Sequence, residues 1–126
     1  MPKTIPGGPG LVPGAYPFSK VVEANGFVFL AGQVGDAPGG HGAVPGGIDA
    51  ETRAMLDNVG RLLMAVGLDF SAVVQCTVYL RDFDDFAAMN AAYRSYFPSE
   101  PPTRATVGVT ALAEDYRVEI QVVAVR

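Results

Sequence analysis

Apolar positions along the chain fall into two rhythms, and the rhythms name the elements. Ile48, Thr52, Met55, Leu56, Val59, Leu62, Leu63 and Val66 recur at three- and four-residue intervals and predict a helix over 48–66. Gly67 follows in the place where helices favour a left-handed residue. Phe86, Met89, Tyr93 and Phe97 mark a second helix, opened by Asp82 or Asp84 and closed by Pro98, Pro101 and Pro102. The remaining apolar runs are rich in β-branched residues and predict strands over 19–24, 27–34, 70–81, 103–109 and 116–125. Asn25-Gly26 joins the first two as a hairpin, since both residues tolerate positive φ. The order is ββ-α-β-α-β-β. Two helices cover one face of a single sheet and leave the other apolar and bare, which predicts self-association.

Glycine and proline sharpen the boundaries. Residues 1–47 hold twelve of the fifteen glycines and seven of the ten prolines, so 1–16 and the stretch after 34 read as irregular. His41, the only histidine, sits in the second of these. The 126 residues suit one domain, 1–126. Charged residues make up 17%, below the ~25% of average usage, which again fits a surface partly covered by copies of itself. The net charge of −4 and the scatter of the basic residues argue against a nucleic-acid partner. Cys76 is the only cysteine, so neither an intrachain disulfide nor a thiolate zinc site is available. Its setting, VVQCTVYL, makes it a buried small hydrophobe rather than a catalytic thiol. The amino-terminal segment lacks the apolar stretch of a signal peptide, and no apolar run reaches membrane-spanning length. A soluble, cytoplasmic protein with no membrane partner is expected.

Three polar residues resist a packing explanation. In PPTRATVGV, Arg104, Thr106 and Gly108 share one face, poor material for a core and suited to a small anion; an arginine snorkelling from an edge strand is the alternative. Asn90 lies on the apolar stripe of the second helix, where it either ties down a neighbouring backbone group or contacts a ligand. Glu119 stands mid-strand, opposite in facing to Val118, Ile120 and Val122. It either pairs with Arg117 or Arg104, or orients and deprotonates a water. If 103–109 and 116–125 form a hairpin, Arg104 falls beside Glu119, and direct contact lowers the carboxylate's pKa and spoils it as a base. A catalytic pair needs a gap, and the residues alone leave contact and gap both open.

These pieces resemble the YjgF/RidA family of reactive intermediate imine deaminases, also called endoribonuclease L-PSP. The resemblance runs from about Pro17 to Arg126, through PFSKVVEANGFVFLAGQVG, LDNVGRLLMAVG, VVQCTVYLRDFDDFAAMNAAYRSYF, PPTRATVGV and VEIQVVAV, in the family's order. It implies an α+β, chorismate-mutase-like single domain with a mixed sheet and two helices on one face. It also implies a homotrimer whose sheets form a central barrel, with active sites in clefts between subunits and the last strand inside the sheet. The implied activity is hydrolysis of 2-imino or enamine acids to 2-keto acids and ammonia, without metal or organic cofactor. By position, Arg104 matches the arginine that grips the substrate carboxylate and Glu119 the carboxylate that positions water. Asn90 and Gly32 match cleft-lining residues. Phe18 stands where a tyrosine is usual, Thr106 where many members have cysteine, and Ala31 where serine is frequent; Phe18 and Ala31 make the implied pocket more apolar. Other readings are a non-catalytic keto-acid sensor, a ribonuclease or a chaperone-like surface.

Overall fold

The computed structural model describes residues 2–126. Its elements are β1 (Val21–Ala24), β2 (Phe27–Val34), α1 (Gly47–Ala65), β3 (Val73–Leu80), α2 (Phe86–Arg94), β4 (Thr103–Gly108) and β5 (Val118–Val125). Asn25 and Gly26, at φ 52° and 81°, make the tight turn between β1 and β2. Gly67 takes φ 79°, and the amides of Gly67 and Leu68 close the end of α1 onto Met64 and Leu63. Before β1, residues 2–16 contain no helix or strand beyond one bridge, Thr4 to Glu23.

Two boundaries move inward for local reasons. β3 begins at Val73 rather than 70, because the Asp69 carboxylate accepts from the Ser71 amide and winds Phe70–Ala72 into a 3₁₀ turn. α2 ends at Arg94 rather than Phe97, the chain continuing in i→i+3 bonds from Tyr96 to Tyr93 and Phe97 to Arg94. At the other end, the Asp82 carboxylate accepts from the Asp84 amide and starts the 3₁₀ turn that leads into α2.

The five strands form one sheet in the order β1-β2-β5-β3-β4. The hairpin considered for 103–109 and 116–125 does not form. β5 runs antiparallel to both β2 and β3, and β4 lies at the edge, parallel to β3. A parallel neighbour needs a crossover, and α2 supplies it. Val28, Leu30, Cys76, Val78, Leu80, Val118, Ile120 and Val122 face the helices and pack on Met55, Leu56, Val59, Leu63 and Met89. The opposite face stays open: Phe27 is 45% exposed, Phe29 44% and Val107 40%.

Buried polar contacts fix where the loops meet the sheet. Glu51, 1% exposed on α1, accepts from the amides of Arg117 (2.7 Å) and Val118 (3.2 Å), anchoring the entry to β5. Asn58 donates to the carbonyls of Val34 (2.9 Å) and Asp36 (3.1 Å) and holds the end of β2 on the same helix. The Tyr116 hydroxyl and the Asp115 carboxylate accept from the amides of Gly42 and Ala43, drawing the glycine-rich loop over the end of the sheet.

Candidate active site

Arg104 is opposite Cys76 in the β3–β4 ladder, so it points toward the helices. The face it shares with Thr106 thus lies under α2, at the open edge of the sheet. There its guanidinium carbon sits 4.7 Å from the centre of the Tyr93 ring and 5.7 Å from that of Phe86. Stacking on aromatic faces holds the fork in one plane and leaves its N–H edges free. Among the described residues no carboxylate lies within ion-pair distance of it; Arg53, Arg117 and Arg126 pair instead with Asp49, Asp85 and Glu23. An open cavity of about 440 Å³ stands before it, lined also by Asn90, Tyr93 and Pro101. Asn90 Oδ1 and Thr106 Oγ1 are buried without a hydrogen-bond partner, and the Tyr93 hydroxyl has only the weakly bonding Cys76 thiol. Buried polar atoms are rarely left unsatisfied, and their nearness to an unpaired cation marks a candidate anion receptor. Burial raises the pKa of the Tyr93 hydroxyl and of the neighbouring Cys76 thiol, so both stay protonated at neutral pH.

Glu119 is elsewhere. It faces Tyr79 across the β3–β5 ladder, which puts it on the open face of the sheet. Neither of the partners considered for it is present. Arg117 turns to Asp85 in a two-pronged contact of 2.7 and 3.0 Å, and Arg104 is on the opposite face. Glu119 lines a concavity of about 270 Å³ with Gly32, Tyr79, Leu112 and Gln121. Desolvation alone lifts its pKa above the ordinary carboxylate value, with no charge or hydrogen bond to offset it. Gly32 makes room for it: a Cβ there would press on Oε2 and lie 3.4 Å from Cδ.

The remaining candidates divide between these two places. Phe18, 58% exposed, lines a cavity of about 430 Å³ together with Gly32, Gln33 and Arg61. Gly32 therefore joins the Phe18 cavity to the Glu119 concavity. Asn90 and Thr106 belong with Arg104. One chain thus carries two half-sites, an anion receptor under α2 and a carboxylate on the far face. Among the described residues no group of three or more His, Cys, Asp and Glu side chains is placed to hold a metal ion.

Some participants escape sequence reading. Tyr93 and Phe86 read as core by their spacing, yet they are the platform for Arg104. Arg94, one of the scattered basic residues of the sequence, lines the receptor cavity. Glu51 sits between Ile48 and Met55 at helical spacing, a signal of burial that its charge obscures.

Residues 12–126 match the family model described as endoribonuclease L-PSP. The chain belongs to this family. The 2-iminobutanoate/2-iminopropanoate deaminase of Capra hircus is 42% identical over 110 residues, covering 87% of this chain and 80% of that protein. The human protein of the same name is 40% identical over 115 residues, 90% of this chain and 84% of its own. The structure of E. coli TdcF with bound serine superposes with a TM-score of 0.83 at 33% identity, covering 93% of this chain and 94% of that one. The Rid-family protein YyfA of Yersinia pestis gives a TM-score of 0.90 at 27% identity over 99% and 100% of the two chains. The family resemblance and the α+β fold read from the sequence are borne out, and relatives within the endoribonuclease L-PSP family are named as imine deaminases. No helix of the described residues is long and apolar enough to cross a membrane.

Proposed function

We propose that this chain hydrolyses 2-imino and enamine acids to 2-keto acids and ammonia, as a homotrimer with active sites in the clefts between protomers. The observation that carries the reading is Arg104: a guanidinium stacked on two aromatic rings, free of acid partners and facing an open cavity. Such a fork recognises a carboxylate through two parallel, charge-assisted hydrogen bonds. Glu119 supplies the second requirement, an unpaired carboxylate beside space for water. The two lie on opposite faces of one sheet, so a site using both draws Arg104 from one protomer and Glu119 from its neighbour. The exposed Phe27, Phe29 and Val107 on the Glu119 face give that neighbour an apolar surface to cover.

The chemistry follows from these roles. An enamine tautomerises to the imine, and the imine's carboxylate docks on Arg104. Glu119 holds a water against the imine carbon and takes its proton as the oxygen attacks. Glu119 passes that proton to the nitrogen, and as the C–N bond of the resulting carbinolamine breaks its hydroxyl proton also goes to nitrogen, so ammonia leaves and the keto acid remains. Positioning and base assistance suffice for this reaction, the second contributing on the order of 10²–10⁴. The family description names an endoribonuclease. The net charge of −4, with three of the seven arginines already engaged with carboxylates, favours a small acid over a phosphate backbone.

The test is release of ammonia from 2-iminopropanoate generated in situ. Arg104→Ala removes at least one charge-assisted contact worth about 1.5–3 kcal/mol, and both prongs together predict a loss on the order of 10²-fold or more. A variant that keeps the wild-type rate refutes Arg104 as the carboxylate anchor. Glu119→Gln distinguishes catalysis from sensing: keto-acid binding persists while turnover is lost.

A further inference from the structure

The cavity before Arg104 holds a second guanidinium. Arg94 stands in the last turn of α2, four residues after Asn90 and so on the same side of the helix, and it lines the same void of about 440 Å³ as Arg104. No acidic side chain lines this void. Among the described residues, Arg94 has no carboxylate within ion-pair distance, and neither has Arg104. The chain carries thirteen acidic residues against nine basic ones, yet two arginines share one pocket with nothing to neutralise them. A substrate with one carboxylate answers only one of the two cations. Asn90 of α2 lines the same void, and its side-chain oxygen is buried and lacks a partner.

We infer that this pocket is built for 2-imino dicarboxylates, the imines of aspartate and glutamate, with the α-carboxylate on Arg104 and the distal carboxylate on Arg94. The inference rests on the deaminase reading and specifies its substrate class. The division of labour follows from how each arginine is held. Arg104 is fixed by stacking on Tyr93 and Phe86, which suits the carboxylate that must align the imine carbon with water. Arg94 is solvent-exposed on a flexible stem and adjusts to a four- or five-carbon chain. Hydrolysis proceeds as for any imine: water oxygen becomes the keto oxygen, its two hydrogens pass to nitrogen, and ammonia leaves.

The experiment compares 2-iminosuccinate with 2-iminopropanoate, each generated by an amino-acid oxidase and followed by competition with semicarbazide trapping. The wild type is expected to show a kcat/KM ratio favouring iminosuccinate by tenfold or more. Arg94→Ala should collapse that ratio at least tenfold, and Arg94→Lys should restore part of it. A wild type that hydrolyses iminopropanoate as well as or better than iminosuccinate overturns the inference and leaves the deaminase reading standing. A preference for iminosuccinate that survives Arg94→Ala overturns the role given to Arg94. Failure to accelerate either imine overturns both readings together.

Discussion

Gly32→Ala tests the site through a single methyl group. Gly32 lies in the irregular part of β2, where the pairing with β5 shifts register between Leu30 and Gln33. Its φ is not in the left-handed region, so alanine brings no backbone strain. What the new Cβ meets is Glu119: it would press on Oε2 and sit 3.4 Å from Cδ, and the three atoms nearest to it all belong to that side chain. The obstacle is the far end of a flexible side chain, so the chain folds and the carboxylate yields. It must retreat on the order of 1 Å, and a displacement of that size at a catalytic group costs ~10²-fold in rate. The measurement is kcat for 2-iminopropanoate alongside thermal unfolding. The expected result is a fall in kcat on the order of 10²-fold with the unfolding midpoint within a few degrees of wild type. A kcat within threefold of wild type removes Glu119 from the reaction, because the base cannot be moved this far without consequence. A large loss of stability refutes the structural premise instead, since it would mean that the methyl group strikes something rigid.

Other expectations follow from the same geometry. Glu119 must be ionised to accept a proton, and burial raises its pKa, so kcat/KM should fall as pH drops through a value above the ordinary carboxylate range. A pH–rate profile with its acid limb at or below that range, or one unchanged in Glu119→Gln, contradicts the base role. Glu51→Ala strips two backbone amides of their acceptor in a position 1% exposed, and unsatisfied buried donors cost about 1–3 kcal/mol each. Urea denaturation should register a loss of roughly 2–5 kcal/mol, and a change under 1 kcal/mol would show that water reaches those amides.

How much of this was legible in the sequence depends on which physical signal each residue carries. The helices announced themselves because the stripe from Thr52 to Val66 is continuous and ends at a glycine that adopts the expected φ. The hairpin of β1 and β2 was written in Asn25-Gly26. Strand pairing was not legible in the residues, since a short turn between β4 and β5 permits a hairpin as readily as a return to the middle of the sheet. Only the family resemblance pointed to the inner position that β5 takes. The alternation in β4 separated Arg104 and Thr106 from Ala105 and Val107, yet it could not say which set lies beneath a helix. That depends on the parallel pairing with β3. Arg104, Asn90 and Glu119 stood out because charge or amide groups interrupt apolar patterns. Tyr93 did not, because an aromatic at helical spacing is indistinguishable from core until its ring is seen under a guanidinium.

The inner position of β5 also bears on how the molecule comes into being. β2 and β3 do not pair with each other; each pairs with β5, which follows both along the chain. Until residues 118–125 are made, β2 and β3 lack the strand that joins them, and the edges on either side of its place have no partner. Unpaired edges invite association with other chains. The sheet cannot be completed without residues 118–125, and a premature stop ahead of them leaves β1-β2 and β3-β4 with no strand to join them.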